Sequence, residues 1–183
     1  MIKYYSLGND TACRSVIEFE MHHHLNNEKI ELLLEPDSTE KFPNDVSFYV
    51  SQGKRWTDII NYHKGGLLHL YSQKLVDVLN QFVDMSNYCY PIKINNSTQS
   101  YYVLYNLPRL KYINRYQQDY LFSQLWKDTI CFSLPTQVPL LFNLENTLIV
   151  ACVEDVKNAI QKAKLTNIYF YELYGLSHDE CDI

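Results

Sequence analysis

In two stretches of this 183-residue chain, apolar residues recur every three or four positions; between and around them they alternate in short runs. After Gly65-Gly66, an apolar run over residues 67–71 leads into Leu75, Leu79, Phe82 and Val83, the spacing of one helical face. Ser72 stands where its side-chain oxygen can accept from the unsatisfied amides of a first turn, so a helix capped at Ser72 is predicted. Val153, Val156, Ile160 and Ala163 predict a second helix, with Lys162 and Lys164 in its last turn, where positive charge suits the dipole. Asn167 tolerates the left-handed conformation and is expected to close it. Strands are expected over residues 2–7, 14–20, 30–34 and 46–50, with a turn-rich loop at 35–44. Residues 88–94 and 101–107 read as a hairpin around Asn95-Asn96-Ser97, ended by Pro108. Further strands are expected over 129–134, 139–144, 147–151 and 168–173, while 111–128 fits either helix or loop.

Laying residues 67–92 on 148–173 at a constant offset of 81, the separation of Val156 from Leu75, matches Leu68 with Ile149 and Leu79 with Ile160. The same offset pairs Tyr88 with Tyr169, Tyr90 with Tyr171 and Ile92 with Leu173. Both segments read as strand, helix, strand, either by duplication or as two independent units with similar patterns. In each case a helix must be buried on a sheet, which predicts a mixed α+β fold with mainly antiparallel pairing. The length fits one domain over residues 1–183, with 1–107 and 108–183 as candidate lobes.

Sixteen Lys plus Arg against 21 Asp plus Glu give a net charge of -5, opposite to the sign of a phosphate-binding surface, so no nucleic-acid partner is expected. No apolar stretch approaches the ~20 residues of a membrane span, and the first residues lack the apolar segment of a signal peptide. The reading is an intracellular, cytoplasmic protein without a membrane partner. Five glycines, at 8, 53, 65, 66 and 175, cannot compose either glycine-rich nucleotide cradle, and metalloprotease, esterase and calcium-loop motifs are absent from the sequence. The N-x-[ST] triplets at Asn9, Asn95 and Asn96 lack a secretory context. Cys13, Cys89, Cys131, Cys152 and Cys181 are odd in number and far apart, the pattern of free thiols, several of them with apolar neighbours. Cys152 is singled out because it directly precedes a predicted helix. In His22-His23-His24 at most two side chains converge on a strand, so no metal is expected there, and no cofactor elsewhere.

The segment Thr147-Leu148-Ile149-Val150-Ala151-Cys152-Val153-Glu154-Asp155-Val156, continued by a Lys- and Leu-containing turn and Asn167-Ile168-Tyr169-Phe170, resembles the C-terminal signature of the bacterial immunity protein 43 and immunity protein 11 families. Leu68-His69-Leu70-Tyr71-Ser72, with Leu75 and Leu79, resembles the middle of the same families, so the likeness runs over residues 58–173. Two positions depart from the family pattern: Cys152-Val153 stands where serine precedes the second helix, and Asn167 where glycine precedes the aromatic strand. The resemblance implies a non-enzymatic cytoplasmic protein that binds the C-terminal domain of a bacterial polymorphic toxin and neutralises it by occlusion. Sixteen tyrosines would suit such a role, because tyrosine buries area while keeping a hydroxyl for a polar interface.

Under that reading the candidate partner-binding residues are Tyr112, Tyr116, Asp119, Tyr120 and Trp126, where aromatic and acidic side chains alternate, and the acidic end Asp179, Glu180 and Asp182. The alternatives are aromatics covering a sheet edge and a solvated tail. Two other functional readings remain open at this level: an enzyme using Cys152 or Cys131 with a histidine, and a general protein-interaction module.

Overall fold

The computed structural model describes residues 3–22, 25, 27–34, 47–62, 68–110, 112–114, 130–132, 139–144 and 149–173. In chain order they form strands β1 (Tyr4–Gly8) and β2 (Glu18–Met21), helix α1 (Asn27–Leu34), then β3 (Phe48–Gln52), β4 (Ile59–Tyr62) and β5 (His69–Ser72). Helix α2 (Gln73–Leu79) is followed by β6 (Cys89–Ile92), β7 (Tyr101–Leu104) and β8 (Arg109–Leu110). A short antiparallel pair, β9 (Tyr112–Asn114) and β10 (Ile130–Phe132), precedes β11 (Leu141–Leu144), β12 (Val150–Val153), helix α3 (Glu154–Lys162) and β13 (Tyr169–Leu173). The fold is α+β with mostly antiparallel pairing, as the sequence predicts. None of its described helices is long and apolar enough to cross a membrane.

The chain divides into two compact units, one comprising Met1–Gly8, Pro108–Ala159 and Tyr169–Ile183, the other Asn9–Leu107 and Ile160–Ile168. The second unit holds a six-stranded sheet in the order β3-β2-β4-β5-β7-β6. A parallel bridge between Phe48 and Ile94, with Asn95 N donating to Phe48 O at 2.8 Å, joins its two ends, so the sheet closes on itself. Inside, Phe19 lies 5.8 Å from Phe48 and 5.7 Å from Tyr62, ring centre to ring centre. Ser72 caps α2 as expected, accepting from Leu75 N at 3.2 Å. Four residues of this helix, Leu75, Val76, Val78 and Leu79, are buried, each worth roughly 1.5–3 kcal/mol relative to exposure.

The first unit holds a five-stranded sheet in the order β13-β1-β12-β11-β8. Its core includes Tyr4 and Phe142, whose rings meet edge-on at 5.8 Å, and Ala151, Cys152 and Val156 of the same unit are also buried.

These two sheets repeat one another. In the second unit β7 lies between β5 and β6 and is antiparallel to both, so the strands flanking the helix are parallel with a third strand inserted between them. In the first unit β1 occupies the same place between β12 and β13. Tyr101 pairs with Ser72 and Ile92, and Tyr102 with Tyr71 and Pro91. Tyr4 pairs with Val153 and Leu173, and Tyr5 with Cys152 and Glu172, each partner 81 residues further along. The inserted strands are thus Tyr4-Tyr5-Ser6-Leu7 and Tyr101-Tyr102-Val103-Leu104. Outward from the helix, β4 and β11 are antiparallel to β5 and β12, and β2 and β8 run parallel to β4 and β11. The backbone bonds agree: Ser72 N donates to Asp58 O at 2.9 Å and Val153 N to Leu140 O at 3.1 Å. So do side chains, since Tyr102 Oη donates to Gln73 Oε1 and Tyr5 Oη to Glu154 Oε1 at 3.3 Å. The echo in the sequence is therefore a structural repeat whose inserted strand comes last in one copy and first in the chain in the other.

Several expected elements differ. Residues 30–34 belong to α1, because Ile30, Leu33 and Leu34 share one helical face and are buried while Leu32 is exposed. The strand expected over 14–20 is reduced to Glu18–Met21: Ser15 has φ 58°, and only an isolated bridge joins Val16 to Arg55. Strand β4 was not expected. Helix α2 stops at Leu79, with Phe82 and Val83 in a following turn, and α3 is closed by left-handed Lys164 (φ 54°) rather than by Asn167, which is also left-handed (φ 59°).

Because Leu173 lies opposite Tyr4, the connection 93–100 that joins β6 to β7 should also join β13 to β1. We expect a permuted chain, beginning at Asn9 and carrying residues 1–8 after Leu173 through a copy of that connection, to fold cooperatively. Loss of cooperative unfolding, followed by near-ultraviolet circular dichroism, would contradict the repeat.

Candidate functional site

Chemistry at a thiol requires thiolate, and the fold opposes it. Cys152 is fully buried within β12 and precedes α3 by one residue. Burial pushes its pKa up to about 12, only partly opposed by the nearby Lys157 ammonium. Cys89 is half-buried and its thiol is also raised by burial. Cys131 lies in β10 and its side chain is outside the described residues. His69 is partly buried, with Nδ1 2.9 Å from Asn61 Oδ1; the amide oxygen accepts, which places the proton on Nδ1. Burial lowers its pKa to about 4. His22 is exposed and packs on Tyr49 at 4.4 Å, and no three His, Cys, Asp or Glu side chains among the described residues converge as metal ligands.

A buried polar cluster organises the second unit. Asp58 Oδ1 accepts from Ser72 Oγ at 2.6 Å, and Asp58 Oδ2 accepts from Thr166 N and Thr166 Oγ1 at 2.7 and 2.9 Å. One carboxylate thereby holds the cap of α2 and the turn after α3, with Asn167 Nδ2 donating to Ile59 O beside it. Next to this cluster a cleft of about 670 Å³ is lined by Cys13, Glu18, Gln52, Lys54, Asn61 and Asn167, among others. Gly53 in its wall has φ 84°, and an added Cβ would sit 2.1 Å from Val16 O, so the wall admits no other residue without distortion. The lining is mostly polar, with amide, carboxylate, hydroxyl and ammonium groups beside Val16 and Cys13 and no aromatic ring, which suits a polar side chain better than an aromatic one.

The repeat also shows where the two copies diverge. Asn61 and Asn143 occupy equivalent places, opposite His69 and Val150 respectively. With valine in place of histidine, Asn143 Oδ1 is buried without a hydrogen-bond partner among the described residues.

In the first unit, β13 ends the sheet and pairs only with β1 among the described strands. Tyr169 and Tyr171 project from one face of it, 44% and 38% exposed, with ring centres 4.3 Å apart. At the end of the strand Leu173 is buried, and Glu172 Oε1 pairs with Lys3 Nζ at 3.2 Å, a hydrogen bond that raises the lysine pKa. Behind the edge, Lys157 Nζ lies 3.7 Å from the centre of the Tyr5 ring.

Of the residues singled out in the sequence, Tyr112 opens β9 but its side chain is outside the described residues. Tyr116, Asp119, Tyr120, Trp126, Asp179, Glu180 and Asp182 lie outside the described residues altogether. The exposed pair Tyr169 and Tyr171 lies in the strand expected over 168–173 but is not among the candidate binding residues; the available signal is three consecutive aromatics, which leave neither face polar. No protein-family model matches this chain, and no curated protein matches it.

Two expectations follow. The unfolded chain binds the His69 proton near pH 6.5 and the folded chain only near pH 4, so His69 carries no penalty above pH 6.5 and destabilises the fold progressively as pH falls toward 4. Urea denaturation across that window should show a shallower loss for His69→Gln, by no more than about 3 kcal/mol in total; parallel curves would contradict the assignment. Cys152 should resist iodoacetamide at neutral pH in the native protein and react once urea unfolds it. Labelling at equal rates in both states would show an accessible thiolate.

Proposed function

We propose that this protein is a non-enzymatic immunity protein that binds the C-terminal domain of a bacterial polymorphic toxin in the cytoplasm and neutralises it by covering it. One observation carries the reading: the segment that resembles the immunity protein 43 and 11 families ends in β13, which presents Tyr169 and Tyr171 at the outer edge of a sheet. Paired exposed tyrosines on a rigid strand have the composition of binding hot spots, since each buries a large area with little side-chain entropy to lose. The net charge of -5 adds a field that steers a basic partner. In this reading Tyr112, Tyr116, Asp119, Tyr120, Trp126 and the acidic residues Asp179, Glu180 and Asp182 are further contacts.

The test is calorimetric titration against a catalytically inactivated toxin domain encoded beside this gene, at low and high salt, with protection of cells co-expressing the active toxin. Tight, salt-weakened binding is expected, and Tyr169→Ala with Tyr171→Ala should weaken it by at least about 2 kcal/mol. Absence of both binding and protection would sink the proposal. If Cys152→Ala folds normally yet abolishes protection, an enzymatic mechanism replaces occlusion.

A further inference from the structure

We infer that the outer edge of β13 is a strand-addition site and that its occupant is an extended, basic segment of the partner protein; the identity of that partner rests on the function proposed above. Val153 N points to Leu140 O, away from β1, so by alternation the neighbouring Cys152 faces β1 and its opposite residue Tyr5 faces β12. Tyr4 and Ser6 then face β13, where they meet Leu173 and Tyr171. The intervening residues Phe170 and Glu172 therefore turn both N–H and C=O outward, and no described strand pairs with them.

The sister sheet shows how this chain closes such an edge. At the register of Glu172 it has Pro91, paired opposite Tyr102 as Glu172 is opposite Tyr5. Proline has no N–H to offer, which is how natural sheets blunt an edge against a further strand. Two residues beyond β6, the bridge from Ile94 to Phe48 completes the closure. The edge of β13 has neither device within its described residues; it keeps both donors and lines them with Tyr169 and Tyr171. A strand laid there gains backbone hydrogen bonds and aromatic packing together.

Charge selects between occupants. Glu172 on the edge is matched by Lys3, so the selection falls to the charge of the whole chain: a second copy would bring a net charge of -5 against its like. An extended segment rich in lysine or arginine meets the opposite field.

The substitution that tests this is one the sister sheet already contains. Glu172→Pro should keep the fold, checked by thermal unfolding, while removing an outward donor; Phe170→Pro does the same one pair away, and Glu172→Gln removes charge but keeps the N–H. The first probe is a short synthetic peptide of alternating lysine and valine, followed by amide hydrogen exchange on the full chain. Protection of the Phe170 and Glu172 amides is expected in the wild type and Glu172→Gln, with binding weakened about tenfold or more by either proline. Absence of protection in the wild type overturns the inference. The second probe is the inactivated toxin domain. If it binds the proline variants as tightly as the wild type, docking through side chains replaces strand addition and the immunity reading stands. If it does not bind while the peptide does, the edge is a strand acceptor and the immunity reading falls.

Discussion

Both sheets depend on one constraint: a strand opening with two tyrosines must lie between two parallel strands that a helix connects. A direct connection of the flanking strands as neighbours is ruled out once that slot is filled, so the inserted strand has to be delivered by another part of the chain. In the second unit it arrives through the hairpin that follows β6; in the first it is the N-terminal strand, more than a hundred residues away in sequence from the strands it joins. Tyr4 and Tyr101 are only 1% and 0% exposed, so the first tyrosine of each pair anchors the core. The second tyrosine reaches the first residue of the helix, Gln73 or Glu154, and ties helix to sheet. Without the inserted strand, the flanking pair would expose unpaired backbone on two facing edges.

Much of this was legible in the sequence wherever periodicity was uncontested. The capped helix at Ser72, the buried face of α3 through Val156 and Ile160, and the 81-residue echo all rest on residues whose spacing fits one element alone. The inserted strands escaped because the offset is constant only within the strand-helix-strand unit: Tyr4-Tyr5 and Tyr101-Tyr102 correspond across a permutation, which a fixed offset cannot reveal. Ile30 to Leu34 read as a strand because Ile30, Glu31 and Leu32 alternate apolar and polar with the period of a strand, hiding the helical spacing of the buried Ile30, Leu33 and Leu34. Strand β4 is short and begins beside Asp58, a residue whose composition argues for a turn. Its carboxylate is instead consumed by Ser72, 14 residues on, and Thr166, 108 residues on, tertiary pairings that no local pattern encodes.

The two copies are most informative where they differ. One closes its sheet, satisfies Asn61 with His69, and carries Pro91 at its edge. The other leaves Asn143 opposite Val150, keeps Glu172 where the proline would be, and sets Tyr169 and Tyr171 in solvent. A sheet that only had to fold would gain from the histidine and the proline, since each removes an unsatisfied or exposed backbone or amide group. Retaining the less protected state in one copy has a cost in stability, borne inside the sheet by the buried Asn143 acceptor and at its edge by the outward donors and aromatic area of β13. Binding needs both, because a surface with every polar group already paired has nothing left to offer a partner. The divergence between equivalent positions, more than any single motif, separates a closed sheet from one whose outer strand keeps its backbone donors among the described residues.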